Sequence, residues 1–122
     1  MSDHRDWHRI KCRILLDAES VGAALKELIT ARSQHHGKSG IRWLSREAGI
    51  PSIGYLSSVV SMKRKLHPKY LFSICMAFDM DHDQLNVMAA LFLFDHAKDA
   101  RSEAILGFAG PYLDHCRTRL SI

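Results

Sequence analysis

Between residues 40 and 69 two short runs with helical spacing flank a four-residue turn, and few arrangements of a chain satisfy that pattern. The first run is Ile41-Arg42-Trp43-Leu44-Ser45-Arg46-Glu47-Ala48, the turn is Gly49-Ile50-Pro51-Ser52, and the second run reaches from Ser52 to about Ser61. Apolar residues at Ile41, Leu44, Ala48, Ile50, Tyr55, Leu56, Val59 and Val60 keep the three-to-four spacing of a buried helical stripe on both sides of the turn. Gly49 can take the positive φ that ends the first helix, Pro51 sits where no amide donor is needed, and the Ser52 hydroxyl can accept a free amide of the second helix. Two helices sharing one core are expected, with Trp43, Leu44, Ala48, Leu56 and Val59 buried where they cross.

Charge gives this pair of helices a direction. Residues 38–69 carry Lys38, Arg42, Arg46, Lys63, Arg64, Lys65 and Lys69 against Glu47, a local balance of +6, whereas the whole chain carries +4. From 70 to 100 the sign reverses, with Asp79, Asp81, Asp83, Asp95 and Asp99 against Lys98. Cations concentrated in this way suit a phosphate backbone, which supplies most sequence-independent affinity for nucleic acid. A helix-turn-helix lays its second helix in the major groove, N-terminal residues toward the base edges. On that geometry Ser52, Ile53, Gly54, Ser57, Ser58 and Ser61 form a reading surface on double-stranded DNA, while Arg42, Arg46, Lys63, Arg64 and Lys65 meet phosphates. The plainer alternative for Lys63-Arg64-Lys65 is a solvated loop after a helix.

At 122 residues one core serves the whole chain, and a single domain is expected. The longest apolar run, 87–94, is about half of the roughly 20 residues that span a bilayer, so no membrane association is expected. The first residues are mixed in charge and precede no cleavable apolar segment, which makes a cytoplasmic location the expectation. Cys12, Cys75 and Cys116 are scattered and odd in number, giving neither a disulfide framework nor a paired-thiol zinc site; Cys75 reads as a small core residue. The histidines lack ligand spacing: His35 and His36 are adjacent in an expected loop, and His96 and His115 have no ligand four residues away. There is no glycine-rich phosphate loop, nucleophile elbow or two-histidine helix, and Asp79, Asp81 and Asp83 lack the glycine and glutamate of a calcium loop. Neither catalysis nor a cofactor is expected.

Periodicity along the chain predicts an all-α domain of five to six helices. Residues 5–16, with Trp7, Ile10, Ile14 and Leu15, form a short amphipathic helix or an arm. Glu19 or Ser20 opens a helix to about Ser33, and 34–40 is a loop. Pro68 stands in the first turn of a helix reaching about Phe78, and Asp81 or His82 begins another that runs to about Lys98, its aspartates capping the start. A last helix over about 101–119 should be broken or kinked by Gly107, Gly110 and Pro111.

Taken in order, these residues resemble the helix-turn-helix proteins grouped as a conserved Fibrobacter and Bdellovibrio family, related in architecture to phage-repressor or Cro-like domains. The likeness covers about 21–99, leaving 1–20 as an N-terminal arm and 100–122 as a C-terminal helical segment. It rests on residues 41–50, Tyr55-Leu56-Ser57, Lys63-Arg64-Lys65-Leu66, and the later stretch from Ala77-Phe78-Asp79-Met80-Asp81 to Phe94-Asp95-His96-Ala97-Lys98. The resemblance implies a phage-repressor-like domain and a transcription regulator. Where the family pattern places a glycine before the basic pair, this chain has Met62, which implies a differently shaped turn.

The reading surface of serines, Ile53 and Gly54 lacks the Arg, Asn or Gln that make bidentate base contacts. Two functions are therefore weighed. One is a DNA-binding regulator that relies on phosphates and DNA shape. The other is a repressor-like scaffold that has lost DNA reading and binds a protein partner or itself, favoured by Trp7, Leu91-Phe92-Leu93-Phe94, Phe108, Tyr112 and Leu113 unless core packing accounts for them. A homodimer held by 1–20 and 101–122 is expected, because two half-sites need two recognition helices.

Overall fold

The computed structural model describes residues 3–37 and 40–121, so Lys38 lies outside the described residues. Among them the chain is all-helical: α1 (Asp3–Asp17), α2 (Val21–His36), α3 (Ile41–Ala48), α4 (Ile53–Val60), α5 (Pro68–Ala77), α6 (His82–Asp99) and α7 (Glu103–Leu120). The count is seven rather than five or six, because 5–16 belongs to a full helix and not to an arm.

α1 is held by what its apolar face and two of its polar groups reach. Trp7 and Leu15 are buried, with Ile10 and Ile14 packed against the core. Trp7 Nε1 donates to the Phe78 carbonyl at 3.2 Å, and the buried Lys11 donates through Nζ to the same carbonyl at 3.1 Å and to that of Asp79. These carbonyls close α5, where the last C=O groups lack helical partners and a cation complements the dipole. Arg117 of α7 serves α1 in the same way, donating to Leu15 O at 3.1 Å and to Ala18 O. Trp7 and Leu15 of α1 are thus spent inside the fold.

Helix boundaries follow local chemistry with two departures. The Ser20 hydroxyl caps α2, Pro68 opens α5 behind His67, and Asp81 with Gln84 forms a capping box at α6. Gln84 is fully buried and its amide nitrogen donates to His8 O at 3.2 Å, tying α6 to α1. The expected loop 34–40 is shorter, since nothing before Gly37 stops the helix; α2 continues to His36 and Gly37 ends it at φ +84°. The expected break in the last helix is also absent. Pro111 and Gly107 are both exposed, so the carbonyl that the proline leaves without a donor faces water, and α7 runs through. α7 folds back on α6, and Phe78, Leu25, Leu28, Leu44, Leu56, Ile74, Met88 and Leu91 fill the core. Burial pushes the Cys75 thiol up to about 12, as suits an inert core residue. No helix among the described residues is long and apolar enough to cross a membrane.

Candidate nucleic-acid interface

α3 and α4 are joined by a turn whose hydrogen bonds are all local. Gly49 takes the left-handed conformation at φ +69° and ψ +32°. The Ile50 amide donates to Ser45 O at 2.9 Å and the Gly49 amide to Arg46 O at 3.4 Å, satisfying the last carbonyls of α3. The buried Ser45 hydroxyl donates to Ile50 O, which locks the exit angle of the turn. The Ser52 hydroxyl accepts from the Tyr55 amide at 3.0 Å and starts α4, which ends at Val60 with Ser61 as its cap. Leu44, Ala48, Leu56 and Val59 are buried as expected. Trp43 is only half-buried: its ring lies 5.6 Å from that of Phe78, and the Arg32 guanidinium stands 3.7 Å from its centroid, a cation–π contact at the rim of the core.

Four of the anticipated residues converge. Arg42 and Arg46 of α3 and Ile53 and Ser57 of α4, all exposed, line one open groove of about 660 Å³ that also includes Gly40 and Trp43. Gly40 caps α3 without a side-chain hydrogen bond, and among the described residues no side chain accepts from the first-turn amides beside Arg42. Ser52 and Gly54 are exposed at the start of α4. Ser58 is half-buried, and its carbonyl accepts the Lys63 and Arg64 amides at 2.9 and 3.2 Å. The Ser61 hydroxyl donates back to Ser57 O at 2.9 Å. Neither Ser58 nor Ser61 lines the groove.

Lys63, Arg64 and Lys65 are exposed on the loop that follows α4. Met62 opens this loop at φ +64°, a left-handed conformation that favours glycine. Tyr55 holds the loop. Its hydroxyl accepts from the His67 amide at 2.7 Å and reaches Lys65 O at 3.5 Å, while its ring lies 5.4 Å from the Arg64 guanidinium and 5.8 Å from Tyr70. Spacing marked Tyr55 only as apolar; the available signal was that a half-buried phenol needs a polar partner. No family model matches the chain, and no curated protein or solved structure matches it at a significant level.

Proposed function

We propose that this chain is a DNA-binding transcriptional regulator of the phage-repressor-like kind, akin to the Fibrobacter and Bdellovibrio helix-turn-helix proteins, which docks α4 in the major groove. The observation that carries this reading is the single groove in which Arg42 and Arg46 flank the exposed Ile53 and Ser57. Small side chains on α4 permit close approach to base edges, and the arginines, the uncapped start of α3 and Lys63, Arg64 and Lys65 supply phosphate contacts. Ile53, 40% exposed, suits a thymine methyl group. Affinity comes mainly from phosphates and discrimination mainly from DNA shape.

A homodimer accompanies this reading. Ile105, Phe108 and Tyr112 form an exposed apolar stripe on α7, with the Phe108 and Tyr112 rings stacked at 5.7 Å. α7 packs on α6 and α1, whereas α4 packs on α2 and α3, so pairing through α7 leaves both α4 helices free. The same stripe favours the second reading, a scaffold that binds a protein partner without DNA.

A salt titration of binding to random-sequence duplex separates the two. Each neutralised phosphate contributes about 0.9 to the slope of log affinity against log salt. Lys63→Glu with Arg64→Glu is expected to weaken binding and flatten the slope by about two contacts' worth. Unchanged affinity and slope in a folded double variant would refute the assigned surface.

A further inference from the structure

Of the three cysteines Cys12 alone is half-buried, whereas Cys75 and Cys116 are buried. One turn earlier on α1 stands the exposed His8, whose Nε2 lies 3.6 Å from Cys12 Sγ. The other ring nitrogen of His8 faces Asp81, just ahead of α6, with Nδ1 and Oδ2 3.4 Å apart. That carboxylate is fixed in place, because its Oδ1 accepts the Gln84 amide at 2.8 Å as the cap of α6. The buried Gln84 side chain closes the group: its Nε2 donates to Cys12 Sγ at 3.3 Å and to His8 O at 3.2 Å. These two bonds use both amide hydrogens, so His8 Nδ1, also 3.3 Å from that nitrogen, keeps its own proton for Asp81. Lys11, whose Nζ is bound to the Phe78 and Asp79 carbonyls, is a further charge that interacts with Cys12.

A sulfur within reach of a ring nitrogen, with that ring oriented by a third group, is the arrangement that turns a thiol into a nucleophile. His8 Nε2 takes the thiol proton, Asp81 stabilises the imidazolium that results, and the thiolate accepts hydrogen bonds from His8 and from the Gln84 amide. We infer that Cys12 is a modification site, which takes up a low-molecular-weight disulfide as a mixed disulfide. The thiolate attacks one sulfur of the reagent; the new bond to Cys12 forms, the reagent's own S–S bond breaks, and the departing thiolate takes the proton held on His8 Nε2. The Cys12 sulfur is oxidised and the departing sulfur is reduced, so the reagent itself is the oxidant. Sγ lies between His8 and Gln84 and is only partly open, which suits a small reagent better than a second folded protein. Cys75 and Cys116 are buried and not placed to displace the adduct, so it persists until an external thiol reverses the step. The site uses α1 and the start of α6 and none of the residues assigned to DNA, so it stands or falls apart from that function.

The test follows the reaction of the full chain with 4,4′-dithiodipyridine by the absorbance of the released thiopyridone. A single fast phase is expected, absent from Cys12→Ser, while the two buried thiols react only on unfolding. His8→Gln, exposed and outside the core, is expected to slow the fast phase at pH 7 by at least about tenfold, as loss of a general base does. Asp81→Asn retains an oxygen to cap α6 and is expected to slow it severalfold through the orientation of His8. The gap between the parent and His8→Gln is expected to close above about pH 9, where a thiol ionises unaided; a purely structural part for His8 would leave that gap constant. Incubation with 2-hydroxyethyl disulfide is expected to add one adduct by intact mass, missing in Cys12→Ser and removed by dithiothreitol. A Cys12 that reacts no faster than a thiol of the unfolded chain, a His8→Gln protein that matches the parent at every pH, or an adduct that survives Cys12→Ser would overturn the inference.

Discussion

Gly22→Ala tests the closest helix crossing beneath the candidate interface. A Cβ on Gly22 would stand 2.6 Å from the Val59 carbonyl oxygen and 2.7 Å from Met62 Cγ. The Met62 side chain is exposed and can swing aside. The Val59 carbonyl cannot, because it is backbone and accepts the Met62 amide at 3.0 Å to close α4. α2 and α4 must therefore separate, and overpacking of this kind costs roughly 1–3 kcal/mol. Alanine's higher helix propensity returns about 0.8–1.0 kcal/mol. Gly107→Ala on α7 isolates that gain, since a Cβ there meets nothing within 4 Å. The clash is then the difference between the two variants, expected at roughly 1–3 kcal/mol in favour of Gly107→Ala. Urea unfolding followed by far-ultraviolet circular dichroism, with midpoints compared at constant slope, measures it. Equal stabilisation by both alanines would show that α2 and α4 do not approach this closely.

Two further outcomes follow from single side chains. Burial raises the Asp95 carboxyl above its ordinary value of 3.8, so its contribution to stability is fully present below that value and is lost as pH rises through the raised folded value. Asp95→Asn should therefore gain on the parent as pH climbs from 3.8 toward neutrality, and a difference in urea midpoint that stays flat or shrinks over this range refutes the direction. Light scattering at micromolar concentration should return a dimer for the parent chain and a monomer for Phe108→Glu; equal masses would remove the α7 stripe as the contact.

The parts of this fold that could be read from sequence are those settled within a few residues. Gly49 at positive φ, the Ser52 cap, Pro68 at the head of α5 and the Asp81 cap of α6 each involve groups no more than about four positions apart, and each appears where local chemistry put it. The buried stripe of α3 and α4 was legible for the same reason, apart from Trp43, whose half-burial depends on Phe78 and Arg32. Pro111 misled because the rule against it presumes that the freed carbonyl is costly, which exposure on α7 prevents. For α1, periodicity gave the stripe but could not say whether it faces the core or another molecule.

What stayed hidden is polar and distant in sequence. Four polar residues are buried among the described ones: Lys11, Ser45, Gln84 and Asp95. Lys11 reaches Phe78 across 67 positions and Gln84 reaches His8 across 76, so each fixes one helix on another, and Ser45 fixes the turn. Such groups look alike in a sequence because any of them could equally have been solvated; only the assembled fold supplies partners. Once partners are assigned, the four separate. Lys11, Ser45 and Gln84 make hydrogen bonds that account for their burial, whereas Asp95 uses one oxygen on Val21 and leaves the other unpaired beside a cavity that Lys65 and Lys98 also line. A purely structural cap at that position would be served by asparagine at lower cost. Asp95, which lines one cavity with Arg64 and Lys65 of the basic loop, is therefore the one buried polar residue among the described ones whose burial its hydrogen bonds do not account for.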